Sequence, residues 1–253
     1  MSSAPFVLFL IFSFTAAAAN VPAFALDDAD AATTSDVLQR YLEASRGQQE
    51  QMRGVKMEVD IAAELPKMKK KGRLFALRNI SKLGRITYDA IRFEGDNTIK
   101  KEVIARYLSA ETESAGKGSA PPITPEFYKF KYKGLVEREG LQVHLFQVDP
   151  KKKRPGTFKG ELWLDSESCL PVREAGRLSK NPSVFIKRFE FIRTYAIKDG
   201  LAIPKHTTGT VETRLWGKAQ VDIDYLNFDR VAEPAVVASE VTEEDAGCIR
   251  KGN

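Results

Sequence analysis

Few residues in this chain have the types and spacing that chemistry needs. His144 and His206 are its only histidines, and neither has a second ligand at HxH or HExxH spacing. Each sits in a run of alternating apolar and polar residues, where a histidine satisfied by strand neighbours is the simpler reading. Asp222 and Asp224 in VDIDY share the polar parity of one such run and do not stand as an acid–base pair. No GxSxG, Walker-type loop or GxGxxG occurs. These residues point to no catalytic group, metal or cofactor, and a non-enzymatic protein is expected.

Two other groupings could recognise a partner. Lys67, Lys69, Lys70, Lys71 and Arg73 form one basic cluster, and Lys151, Lys152, Lys153 and Arg154 form another. Both fall at expected hairpin turns, where they are either solvated turn residues or a docking surface for anionic headgroups or an acidic partner. The second grouping is aromatic: Trp163, Phe185, Phe189, Phe191 and Tyr195, preceded by Tyr128, Phe130 and Tyr132. It is either a packed core or the lining of a cavity for an apolar ligand. An acyl chain of about 15 methylenes would gain roughly 12 kcal/mol gross on full burial, at about 0.8 per methylene.

The elements that must position these residues are mostly strands. In SVFIKRFEFIRTYAIKDG, steps of two from Phe185 reach Phe189, Phe191, Arg193 and Tyr195, and Asp199-Gly200 ends the run as a hairpin turn would. From Phe127 to Phe228 such runs recur between turn signals, as an antiparallel meander does. Upstream, Val55, Met57, Val59 and Ile61 alternate with Lys56, Glu58 and Asp60, and GRLFALRNI and GRITYDAIRFEGD read as two more strands. IKKEVIARYLSAE is ambiguous, and the turns on both sides favour a strand. Ser114 to Pro125 reads as a loop. Ahead of the strands, Val37, Leu38, Tyr41 and Leu42 mark one apolar stripe on an amphipathic helix capped at Ser35–Asp36.

The expected architecture is a mainly β (α+β) domain over residues 35–231. It is a curved, half-open antiparallel β-barrel of about eleven strands, with the N-terminal helix packed in or over its concave face. Residues 26–34 read as a linker and 232–253 as a flexible tail. The opening run Phe6 to Ala19, followed by Ala23-Phe24-Ala25, reads as a signal peptide over residues 1–25 with cleavage after Ala25. It is shorter than the about 20 residues that a spanning helix needs. No Lys or Arg precedes it, which leaves an uncleaved anchor as the alternative.

No cysteine stands directly after that run, so no lipobox is read there, and an extracytoplasmic, periplasmic location is expected. The formal charge of +5 then belongs to the exported part. Scattered along strands, it argues for mild attraction to anionic surfaces and not for nucleic acid. An oxidising compartment would permit a Cys169–Cys248 bridge, while two unpaired cysteines are the plainer reading.

One stretch carries a resemblance. FQVDPKKKRPGTFKGELWLDSESCLPVREAGRLS, and within it Phe158 to Asp165 followed by Leu170-Pro171-Val172-Arg173, resembles the LolA/LolB-like outer-membrane lipoprotein carrier superfamily and its lipoprotein-sorting relatives. AIPKHTTGTVE and VDIDYLNF fit the same ending, so the resemblance covers about Ser35 to Phe228. It implies an open half-barrel lidded by helices over an apolar cavity, and a monomeric periplasmic carrier of acylated lipoproteins or lipids that meets envelope proteins. It also implies a lid-locking arginine, for which Arg53, Arg73 and Arg78 compete. The alternative is an envelope interaction or stress-sensing module on the same fold without a lipid ligand. On the carrier reading, Trp163, Phe185, Phe189, Phe191 and Tyr195 line the cavity.

Overall fold

The computed structural model of the chain describes residues 28–116, 121–181, 186–215 and 217–230. The expected signal peptide, the C-terminal tail, Phe185 and Cys248 lie outside the described residues.

Helix α1 (Asp28–Gln51) leads into β1 (Val55–Leu65), a short 3-10 turn (Pro66–Met68), β2 (Lys70–Ile80) and β3 (Ile86–Gly95). The chain then leaves the sheet through α2 (Asn97–Ile99), a π-helical turn (Lys100–Ile104) and α3 (Ala105–Gly116). It returns as β4 (Tyr128–Arg138), β5 (Leu141–Pro150), β6 (Phe158–Asp165), β7 (Pro171–Leu178), β8 (Ile186–Lys198), β9 (Leu201–Thr213) and β10 (Gly217–Arg230). Helix α1 begins upstream of the Ser35–Asp36 cap and takes in most of the stretch read as a linker.

The strands form one antiparallel sheet in the order β3-β2-β1-β10-β9-β8-β7-β6-β5-β4. It is open and does not curl round into a closed barrel. The first strand pairs with the last, Ile61 opposite Ile223, so the meander meets itself at β1 and β10. The break falls instead between β3 and β4, where the helices intervene. Both free edges are bulged, at Ala90 (φ 50°) and Gly134 (φ 102°), which interrupts the row of backbone groups that another chain could pair with.

Among the described residues there are ten strands rather than about eleven, because IKKEVIARYLSAE is helical. Ile99, Val103, Ile104, Tyr107 and Leu108 recur at helical intervals, and all five pack on the sheet. Asp96 starts the segment, its carboxylate accepting from the Thr98 N–H at 2.7 Å. The flanking turns that favoured a strand are equally compatible with a helix, and the apolar spacing decides.

One face of the sheet is covered by helices. Over β1, β2 and β10, the buried Val55, Met57, Val59, Ile61, Leu74, Val221 and Ile223 meet Ile99 and Ile104. Over β4 to β8, Tyr128, Phe146, Phe158, Leu162 and Phe191 meet Val37 and Tyr41 of α1. Between the two cores the sheet splits. β10 pairs with β9 only from Gly217 to Asp224, while its remainder follows β1 as far as Arg230. Among the described residues, no helix is long and apolar enough to cross a membrane.

Candidate functional site

The covered face carries two runs of aromatic rings. Tyr132, Phe146, Phe130 and Tyr41 follow one another at centroid distances of 5.0, 5.8 and 6.5 Å. Tyr128, Phe158, Phe191 and Phe189 do so at 6.0, 5.1 and 6.2 Å. Register puts them together: Phe130 pairs with Val148, Phe146 with Leu162, and Phe191 with Gly176 and Gly209. The glycines opposite Phe191 leave room for ring stacking, since a Cβ at Gly209 would come within 2.8 Å of Phe189 and one at Gly176 within 2.8 Å of Phe158. Val37 and Tyr41 of α1 are buried here, with Leu38 and Leu42 packed beside them.

Polar contacts position α1. Gln48 bonds both backbone groups of Ala202, its amide donating to the carbonyl at 2.6 Å and accepting from the N–H at 2.9 Å. The split between β9 and β10 leaves these Ala202 groups without a strand partner on that side, and the Gln48 amide takes the missing strand's place. Arg40 donates to the Glu167 carbonyl, and Arg230 to the Gln51 side chain at 3.1 Å.

A polar cluster lies on the same face between the helices. Arg78 of β2 pairs with Glu111 of α3 at 2.9 Å, and the Tyr88 hydroxyl donates to the other carboxylate oxygen. Burial alone would raise the Glu111 carboxyl, but Arg78 and Tyr88 hold it below its ordinary value. Farther along, Arg193 of β8 sits 3.9 Å from Glu174 of β7, with its Nε donating to the Thr207 hydroxyl at 3.3 Å. Arg193 keeps 36% of its side chain exposed although Tyr195, Tyr225 and Tyr107 surround it, so water reaches this point between the helices. Burial raises the Tyr41, Tyr88, Tyr107 and Tyr195 hydroxyls well above the ordinary tyrosine range, and pushes Tyr128 up to about 12.

Phe189, Phe191 and Tyr195 thus lie on one face, beside Arg193. Trp163 does not: it pairs with Leu145, one residue out of phase with Phe146, and sits on the other face. There Arg173 stacks over its ring at 4.5 Å, and its indole N–H donates to Glu161 at 3.0 Å. Of the three arginines weighed for locking a lid, Arg78 reaches a helix, whereas Arg73 pairs with Asp60 on the outer face.

The histidines stay apart. His144 Nδ1 meets the Tyr132 hydroxyl at 2.7 Å, and burial lowers its pKa. His206 lies between Asp224 at 2.7 Å and Thr208 at 2.9 Å on the outer face, and Thr208 in turn donates to Asp222 at 3.1 Å. Cys169 is buried, which raises its thiol pKa. Lys70 pairs with Asp96 and Lys71 with Glu64, Lys151 donates to the Pro125 carbonyl, and Arg154 stacks over Phe127 at 5.4 Å. Lys69, Lys152 and Lys153 are exposed. An open groove of about 410 Å³ lies beside Ala62, Lys71, Arg73, Glu94 and Asp222, away from the aromatic rings. No group of described His, Cys, Asp or Glu side chains is arranged to hold a metal.

Gln48 and the Arg78–Glu111 and Arg193–Glu174 pairs escaped the sequence reading. The two arginines carry a usable signal, because each occupies an apolar parity, Arg78 after Leu74 and Ala76 and Arg193 after Phe189 and Phe191.

No protein-family model matches the chain, and no curated protein does. Among solved structures the chain is similar to a DUF1329 family protein from Desulfovibrio piger, with 13% identity, a TM-score of 0.41 and coverage of 79% of this chain and 95% of that one. It is also similar to a putative outer membrane lipoprotein-sorting protein domain from Vibrio parahaemolyticus (11%, TM-score 0.43, coverage 79% and 94%). A LolA superfamily protein from Nitrosomonas europaea stands alike (11%, TM-score 0.40, coverage 78% and 94%).

Proposed function

We propose that the protein is a non-enzymatic periplasmic binding protein that takes an acyl chain, of a lipid or an acylated lipoprotein, against the helix-covered face when α1 lifts. The observation that carries this is the aromatic face itself, continuous across β4 to β8 and covered by one helix. Full burial of an apolar side chain contributes about 1.5–3 kcal/mol, so Val37, Tyr41 and the partly buried Leu38 and Leu42 hold α1 down by roughly 6 kcal/mol. An acyl chain gaining roughly 12 kcal/mol gross can displace them. Phe189 and Phe191, with Arg193 at the water-reached end, are the proposed lining.

A second reading has its own observation. Phe146, Leu162 and Leu164 have no exposed surface, so the face over β5 and β6 is filled when α1 is down. A filled face suits a scaffold that binds an envelope protein and carries no lipid. Native mass spectrometry of the protein, purified without detergent, separates the two. The carrier reading expects lipid or lipopeptide adducts. A clean apo mass that persists after incubation with phospholipid and acylated peptide overturns it in favour of the scaffold.

A further inference from the structure

The strand order puts the turns after β1, β5, β7 and β9 at one end of the sheet, because these strands lie at alternate positions and run the same way. The two basic clusters, far apart in sequence, therefore share one rim. Its turns hold Lys67 and Lys69, then Lys151 through Arg154, then Lys180 and Arg214, with no acidic residue among those described. At the opposite rim, Lys82 and Arg85 stand against Glu139, Glu167 and Asp199. Of the described acids beside the basic rim, Glu64 pairs with Lys71, Asp96 with Lys70, Asp149 with Lys159 and Glu212 with Lys187, while Glu94 and Glu126 are exposed there. Against these two acids the described turns hold six lysines and two arginines, so the rim keeps a positive excess.

We propose that this rim docks on an anionic phospholipid surface. Three features favour a membrane over an acidic protein. First, the charge is spread along a line: six strand spacings separate the β1–β2 turn from the β5–β6 turn, roughly 30 Å at about 4.8 Å each, which suits a flat partner. Second, it is mostly lysine, a compact charge with no demand for the fixed two-point geometry that arginine offers a carboxylate. Third, Leu215 in the β9–β10 turn is 68% exposed and follows Arg214, giving the rim an apolar tip among cations. That turn adjoins the β1–β2 turn, since a Cβ on Gly217 would lie 3.1 Å from the Lys67 side chain. The docking holds whether or not the covered face carries a lipid.

Vesicle co-sedimentation at low salt tests it, with neutral phosphatidylcholine vesicles against vesicles also containing phosphatidylglycerol. Any binding by the N-terminal apolar run is common to both vesicle types and all variants, so the readout is the difference between them. Each lysine neutralised near an anionic surface weakens binding on the order of fivefold, so K69Q/K152Q/K153Q is expected to lose about a hundredfold of the anionic preference. Leu215→Ser should lose a further part, added salt should weaken the rest, and K82Q/R85Q at the opposite rim should change nothing. Equal binding to both vesicle types, or equal loss in the opposite-rim variant, overturns the proposal. So does capture of polyglutamate by a protein that ignores the vesicles, which would assign the rim to an acidic protein.

Discussion

Gln48 of α1 holds both the N–H and the carbonyl of Ala202 on β9, as a neighbouring strand residue would. The sheet splits where β10 leaves β9 for β1, and the helix fills the gap with a side-chain amide. The helix that covers the aromatic face is thereby tied to the junction of the two cores.

Replacing Gln48 with Ala leaves the Ala202 N–H and carbonyl buried without partners. The expected cost is about 2 kcal/mol, the usual range for unsatisfied buried polar groups being about 1–3 kcal/mol. Urea unfolding should show a lower midpoint, and hydrogen exchange at Ala202 should quicken before the rest of β9. Unchanged exchange there would mean that another group takes the amide's place.

The Arg78–Glu111 pair predicts an acid-sensitive α3. The Glu111 carboxyl is held below its ordinary value of 4.5, so its contribution is fully present above that value and is lost as pH falls through the lower folded value. Glu111→Gln should flatten the acid limb of stability against pH. Arg78→Met, which leaves the carboxylate buried and uncompensated, should cost about 3–5 kcal/mol at neutral pH. Identical acid midpoints for wild type and Glu111→Gln would contradict the assignment.

Five of the seven tyrosines have hydroxyls raised by burial: Tyr41, Tyr88, Tyr107, Tyr128 and Tyr195. Their neutral forms are favoured in the folded state, so this stability is whole below the ordinary value of 10 and is lost as pH rises through the folded values. An ultraviolet titration should show these five ionising only as the fold is lost, with Tyr128 beginning near 12. Smooth ionisation of all seven near pH 10 with the fold intact would rule out the buried network.

Trp163 provides a control for the two faces. Trp163→Ala removes a ring packed with Val143, Leu145 and Arg173 on the outer face and should cost about 3–5 kcal/mol. Acyl-chain uptake per folded molecule should stay at the wild-type level. Loss of uptake at full occupancy of the folded state would place the ligand on the other side of the sheet.

The strands were legible because a period of two persists through the meander and glycines mark its turns. Phe189 and Phe191 could be assigned to one face by parity alone. Trp163 could not be joined to them, because it lies on β6 and cross-strand register depends on turn geometry that local pattern leaves open. The helical Ile99–Glu111 segment was misread because its flanking turns were weighed above its apolar spacing. The β1–β10 pairing and the Gln48 clasp join residues far apart in the chain, and no local pattern encodes either. Arg78 and Arg193 were visible as charges at apolar parity, but their partners Glu111 and Glu174 emerge only once the sheet is assembled.

The most direct measurement is photo-crosslinking with a palmitoyl probe that carries a diazirine near its methyl end, followed by mass spectrometry of the labelled peptides. The account predicts labels on the β8 segment around Phe189 and Phe191 and on α1 around Val37 to Leu42, with stronger labelling in Gln48→Ala. Labels confined to the outer face around Trp163, or none above background in either protein, would contradict it.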